Sequence, residues 1–459
     1  MGPIQKAFHY ADHKPVTRRQ FLGLGIGQAL SLMFLPDLIS MFGKQAMGAS
    51  CETPLSALHP FLLFDCVGGA SLAGNFVVGK NGGAEDYLKS YDTMGVAKAP
   101  SAGQPVDKRF GLPLFTDLSK IREGMLSQMT LETQKGLRMA SVCNSSQDDS
   151  GDNALSPAIL ISKAGLNGRY FKGGLGSMGT DSGGNSQSPI VDATMQPVAI
   201  NSLSDISESL NYGSALSKLS VAQKTRLAKS ISRLSESQAS KVAGMRMGDQ
   251  FTLLANCGLQ KNVEFAGPIK GINPLESPVV SSLLQGTAQE VTRLGAIAYN
   301  VLQRNCGVGV HTISGCDYHD GTQATGDTKD LEIGTSIGIA VEMAARLKQP
   351  LFFAVISDGS TYSDPGTRIW RGDAGQKGLA VMGYYHPTNV PTLRTNQIGA
   401  FTDGQGVDRT TYVGVEPRRA AYTILANYLS VNGKLGEFET LVSQSEFEPS
   451  KLDSHIAFG

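Results

Sequence analysis

The chain is short of charge, of histidine and of tryptophan. Only 17% of its residues are Asp, Glu, Lys or Arg, against roughly 25% in an ordinary soluble protein. The 40 basic residues balance 40 acidic ones, and no clustered Lys/Arg field is present, which excludes nucleic acid as a partner. No run of like charges and no periodic repeat occurs, so polyelectrolyte tails and repeat arrays are excluded too. Seven histidines in 459 residues restrict any imidazole-rich metal site. The six cysteines (Cys51, Cys66, Cys143, Cys257, Cys306 and Cys316) form no C-x-x-C pair, which disfavours a zinc ribbon or a thioredoxin motif. Residues 80–83 and 173–176 are glycine-rich but lack the Gly-Lys-Ser/Thr ending of a phosphate-binding loop. The acidic stretch 147–152 lacks the Asp-x-Asp-x-Asp-Gly spacing of a calcium loop.

What is abundant is glycine, 54 residues, together with a 41% hydrophobic content. That suffices for a sizeable core, in one large domain or two to three ordinary ones. The N-terminus carries Thr17-Arg18-Arg19-Gln20-Phe21-Leu22-Gly23, which resembles a twin-arginine export signal with Gly23 in place of the usual Lys. The apolar stretch 21–42 is diluted by Gly23, Gly25, Gly27, Gln28, Pro36 and Asp37, too interrupted for a stable membrane span. Ala46, Gly48, Ala49 and Ser50 offer cleavage positions. Residues 1–50 are therefore expected to be a signal, and the mature chain to work in the periplasm or at the cell surface. Gly48 disfavours lipidation of Cys51, since a lipoprotein signal wants Leu or a similar residue there. No apolar run of 18 residues follows, so no membrane span is expected in the mature chain. An oxidising destination permits disulfides, whose pairing the spacing leaves open.

Residues 59–67 (HPFLLFDCV) read as a buried strand running into Gly68-Gly69, and 137–142 as a second strand. Residues 173–188 read as irregular. In 203–250, Leu216, Leu219, Val221, Leu227, Ile231 and Leu234 recur at helical spacing, so a helical insertion is expected over about 203–265 of a single domain spanning 51–459. From 278 the pattern alternates: helix 279–304, strand 308–314, helix 331–347, strand 351–356, strand 380–385 and helix 418–429. The expected fold is α/β, a mostly parallel central sheet with helices on both faces. Sites in such sheets lie beyond the carboxyl ends of the strands, where Asp317, His319, Asp358 and Asp373 fall. Trp370 with Tyr384 and Tyr385 reads as aromatic core near a sheet edge.

The chemistry candidate is Gly315-Cys316-Asp317-Tyr318-His319-Asp320, followed by Ser357-Asp358-Gly359 and by Arg371-Gly372-Asp373-Ala374. A carboxylate and an imidazole two residues apart can face one metal ion from a loop. With Gly68-Gly69, the order of these pieces resembles the Tat-exported, sulfatase-like family of the alkaline phosphatase superfamily, over about residues 17–435. Gly315, Asp317 and His319 match its Gly-Phe-Asp-Thr-His segment. Ser357-Asp358-Gly359 matches Ser-Glu-Phe-Gly without the following Arg, and Asp373 the Asp of Thr-Asp-His-Gly with Ala374 for the His. Ala70-Ser71-Leu72 stands where relatives place an acidic residue.

The resemblance implies an alkaline-phosphatase-like fold and a two-ion hydrolase of phosphate or sulfate esters with a Ser, Thr or modified Cys nucleophile. The departures imply a reduced centre: no sulfatase Cys-x-Pro-Ser-Arg signature occurs, and two expected histidines are replaced. At most one divalent ion is expected, held by Asp317, His319, Asp358 and Asp373. Ser71 is the candidate nucleophile, although a turn serine is the simpler reading. The expected function is therefore a binding or structural component among other exported proteins. The alternatives are an active metal-dependent ester hydrolase and a subunit of an extracellular assembly.

Overall fold

The computed structural model describes residues 58–145, 156–166, 171–173, 198–210, 271–284, 288–318, 323–357, 359–373 and 376–459, with isolated positions between 220 and 230. The chain divides into two compact units, 1–52 with 218–268 and 53–217 with 269–459; the architecture below is that of the second. The signal over 1–50 and nearly all of the expected insertion after residue 210 lie outside the described residues.

Twelve strands are described: β1 Phe61–Cys66, β2 Val106–Asp107, β3 Leu114–Phe115, β4 Leu137–Cys143, β5 Phe171–Gly173, β6 Val198–Ala199, β7 Gly309–Ile313, β8 Leu351–Ser357, β9 Thr361–Ser363, β10 Trp370–Asp373, β11 Leu379–Tyr385 and β12 Gln397–Ile398. The helices used below are α1 Lys120–Gln128, α2 Leu131–Lys135, α3 Pro157–Lys163, α4 Leu203–Leu210, α5 Gln289–Leu302, α6 Gln323–Arg346 and α7 Arg418–Val431. The main sheet has eight strands in the order β12-β4-β11-β8-β1-β7-β5-β6. Every pairing is parallel except those of β11 with β4 and β8.

The alternation of buried residues along the strands builds two cores. Leu62, Phe64 and Cys66 of β1 and Phe353 and Val355 of β8 enter one core with α1, α5 and α6. Phe61 and Leu63 with Phe352, Ala354 and Ile356 enter the other, with α3 and α7. A nearly continuous apolar run is what burial on both faces demands. The lone antiparallel strand has a local cause. The chain leaves β8 into the β9–β10 hairpin and returns directly as β11, whereas a parallel neighbour would need a long crossover.

Two element boundaries differ from the sequence reading. The expected helix 279–304 is two pieces, Ser281–Leu284 and α5; Ala288 is extended (φ −61°, ψ 161°), so the helix restarts after it. The expected helix 331–347 begins eight residues earlier, as α6, whose first turns are polar. That helix crosses α1 without room for side chains. A Cβ on Gly334 would lie 2.1 Å from the Ile121 carbonyl oxygen, and one on Gly124 would lie 2.5 Å from that of Leu331. Ser119 caps α1 by accepting a hydrogen bond from the Arg122 amide, 3.1 Å. No helix among the described residues is long and apolar enough to cross a membrane.

Candidate functional site at the carboxyl rim

β1 lies between β7 and β8, parallel to both, so the loops that follow these three strands open on one rim. The ladder runs on past the strands: the Val67 amide donates to Ile313 O and the Cys316 amide to Val67 O, both 3.0 Å. Gly68 and Gly69 turn the chain with φ of 112° and 97°, a region open to glycine. A Cβ on Gly68 would come within 2.7 Å of the Asp317 Cβ, so the loops after β1 and β7 touch because residue 68 has no side chain. On the other flank the Ala70 amide donates to the Ser357 hydroxyl, 2.8 Å.

Among the expected site residues, Asp317 is half-buried against Gly68. The Asp373 backbone pairs with Thr361 in the β9–β10 hairpin, which springs from the end of β8. The loops carrying Asp317 and Asp373 thus rise from the same rim. His319 and Asp358 lie outside the described residues, and of Asp373 the backbone alone is described. Ser71 is 2% exposed and caps no amide with its side chain. A serine nucleophile needs an open approach and a bonded base, and the observed position suits a turn residue.

Beneath the rim lies a polar network that sequence reading missed. Asp330, in the second turn of α6, is fully buried. Its carboxylate accepts from Asn75 Nδ2 (2.7 Å), the Tyr318 hydroxyl (2.7 Å) and Arg368 Nη2 (3.0 Å). Arg368 also donates from Nε to Asp327 (2.9 Å) and from Nη1 to Gly74 O (3.1 Å), and its guanidinium lies 5.6 Å from the Trp370 ring centre. Asn75 Oδ1 accepts from the Ser119 hydroxyl, 3.1 Å, and the Ile121 amide, 3.3 Å. The network ties the loops after β1 and β7, helices α1 and α6, and the β9–β10 turn to one carboxylate. Burial raises the Asp330 pKa to about 6, against the lowering pull of Arg368 and the hydrogen bonds from Asn75 and Tyr318. The Tyr318 hydroxyl is pushed up, by burial first and by Asp330 next.

Two thiols sit in the same layer. Cys66 and Cys316 are fully buried and unlinked. The hydrogen bond that the Cys66 thiol gives to Cys316 raises its pKa, and burial raises it further, so Cys66 is held as the unreactive thiol.

The described histidines are distributed elsewhere. His59 precedes β1 and His386 follows β11, which places both on the opposite, amino-end rim, with ring centres 6.1 Å apart. Burial, His386 and Arg304 lower the His59 pKa to about 4. His311 is inside β7. His455 packs against Tyr412 and Phe447 and bonds the Lys451 carbonyl through Nδ1, 2.6 Å. Among the described residues no group of three or more His, Cys, Asp or Glu side chains converges as a metal site. Comparison of the chain with protein-family models, with characterised proteins and with solved structures finds no match to any of them.

Asp65 was also overlooked by the sequence reading. It is a fully buried carboxylate at the penultimate position of the central strand. The signal was available: a lone acid inside the apolar run of 61–66 implies a specific partner, because an uncompensated buried charge is costly.

Proposed function

We propose that this chain is an exported α/β protein that keeps an alkaline-phosphatase-like scaffold with a helical insertion and carries a reduced catalytic rim. Its role is that of a binding or structural component of the periplasm or cell surface, acting with other exported proteins. The observation that carries this reading is the placement of the histidines. Five occur beyond residue 50; four of them are described: His59 and His386 stand at the amino-end rim, His311 lies inside β7, and His455 sits in an aromatic cluster with Tyr412 and Phe447, and none joins a group of three or more metal-ligating side chains among the described residues. A two-ion ester hydrolase needs several nitrogen and carboxylate ligands at one point to set charge and geometry. The inward, 2% exposed Ser71 supports the same reading.

Asp317 and Asp373 on neighbouring loops favour a second reading, a single-ion ester hydrolase with His319 and Asp358. The two are separated by incubating purified protein with zinc, manganese or magnesium and an aryl phosphate or aryl sulfate. The first reading expects no turnover above buffer. Stoichiometric metal with ester hydrolysis, both lost in His319→Ala, overturns it in favour of the second.

A further inference from the structure

We propose that Arg293 and His311 form a binding site for a small oxyanion, a carboxylate or phosphate group, on the face of the β5–β7 pair that α5 covers. Arg293 stands in the second turn of α5 and is 7% exposed. Its Nε is buried without a hydrogen-bond partner, and no carboxylate pairs with its guanidinium among the described residues. His311, in the middle of β7, is 2% exposed, and its Nδ1 is likewise buried without a partner.

The two side chains meet by construction. Gly173 of β5 is in register with His311, and a Cβ there would lie 3.2 Å from the Arg293 Cγ and 2.3 Å from the Ile297 Cδ1. The missing side chain at 173 leaves room for the Arg293 stem to lie over β5, close enough to His311 to act on its charge. Phe64, with its ring centre 6.4 Å from that of His311, and the buried Ile200 and Ile297 supply apolar walls.

A buried cation without a counter-charge is among the most expensive arrangements a fold can hold, and a ligand anion removes that cost. Guanidinium offers a planar fork that matches the two oxygens of a carboxylate or phosphate. Burial and Arg293 together lower the His311 pKa to about 3, so the ring is neutral at neutral pH and can give one N–H to the same anion. Apolar walls strengthen such charge-assisted bonds. The site uses neither Ser71, Asp317 nor Asp330, so it stands or falls apart from the rim.

The test is thermal unfolding of the full chain in chloride, acetate and inorganic phosphate at matched ionic strength. A saturable rise in Tm over chloride, of about 2–5 °C at a hundredfold excess over Kd, is expected with acetate or with phosphate, and which of them acts identifies the ligand group. Arg293→Met abolishes the response. Should that variant fail to fold, Arg293→Lys keeps the charge, loses the fork and moves the midpoint about tenfold higher. Equal Tm in the three salts overturns the proposal. So does a rise that never saturates and survives Arg293→Met, which is general salting of the folded state, or an unshifted midpoint in Arg293→Lys.

Discussion

Two buried charges on the same face of the sheet have opposite surroundings. Asp330 is met by an amide, a phenol and a guanidinium, all within 3.0 Å. Arg293 is buried almost as deeply, with no counter-charge among the described residues. A compensated charge serves as an anchor, because each partner holds a different segment in place. An uncompensated one stores unfavourable energy that only a ligand or a substitution releases.

The largest effect is expected from removing the anchor. Asp330→Ala leaves Arg368 without its innermost partner and should cost about 3–5 kcal/mol of unfolding free energy, read by denaturant titration. A loss under 1 kcal/mol breaks the contrast. Arg293→Met, measured in chloride without added oxyanion, should do the reverse and raise stability by about 1–4 kcal/mol, since an apolar chain of similar length replaces an unpaired cation. A destabilised Arg293→Met would mean the guanidinium is compensated.

The two charges also predict pH slopes of opposite sign. His311 has a folded pKa of about 3, below the ordinary 6.5. As pH falls below about 6.5 the unfolded chain takes up a proton that the folded chain refuses, so stability falls by up to about 1.4 kcal/mol per pH unit. The His59 contribution has the same sign down to about pH 4. Asp330 is raised to about 6, so between about 6 and 4 the folded chain takes up the proton first and this contribution grows as pH falls. Arg293→Met should flatten the histidine slope, because one cause of the depressed His311 pKa is gone. Unfolding at pH 7, 6, 5 and 4 measures it, and an unchanged slope contradicts the pairing.

Tyr318→Phe removes one bond to the Asp330 carboxylate and should cost about 1.5 kcal/mol. Asp453→Ala is the surface control: the exposed Arg394–Asp453 pair, 2.9 Å, should change stability by less than about 0.5 kcal/mol.

The layers of the fold were legible in the sequence, because strands buried on both faces are nearly continuous apolar runs and β1 and β8 are, apart from Asp65 and Ser357. The antiparallel direction of β11 was not, since direction depends on the length of the connection and on the β9–β10 hairpin, whose residues read as loop. The site was legible only as an address. Gly68-Gly69 and Asp317 do meet, because the parallel neighbours β1 and β7 bring their ends together. Asp330 and Arg293 were invisible for one reason: an acid or an arginine on a helix reads as solvated surface, and only tertiary packing decides otherwise. Cys66 and Cys316, some 250 residues apart, give no local hint that their thiols share a hydrogen bond.

The central position of β1 has a consequence for how the chain acquires its structure. Its two neighbours, Gly309–Ile313 and Leu351–Ser357, come some 250 to 290 residues later. Contacts of such long sequence separation form slowly, because the intervening loop must close before either pairing is gained. During synthesis the apolar segment Phe61–Cys66 therefore waits with both edges open until residue 313 has left the ribosome, and with one edge open until residue 357 has followed. A nascent chain stopped before that point should expose this segment to chaperones and proteases, and release of the complete chain should close it.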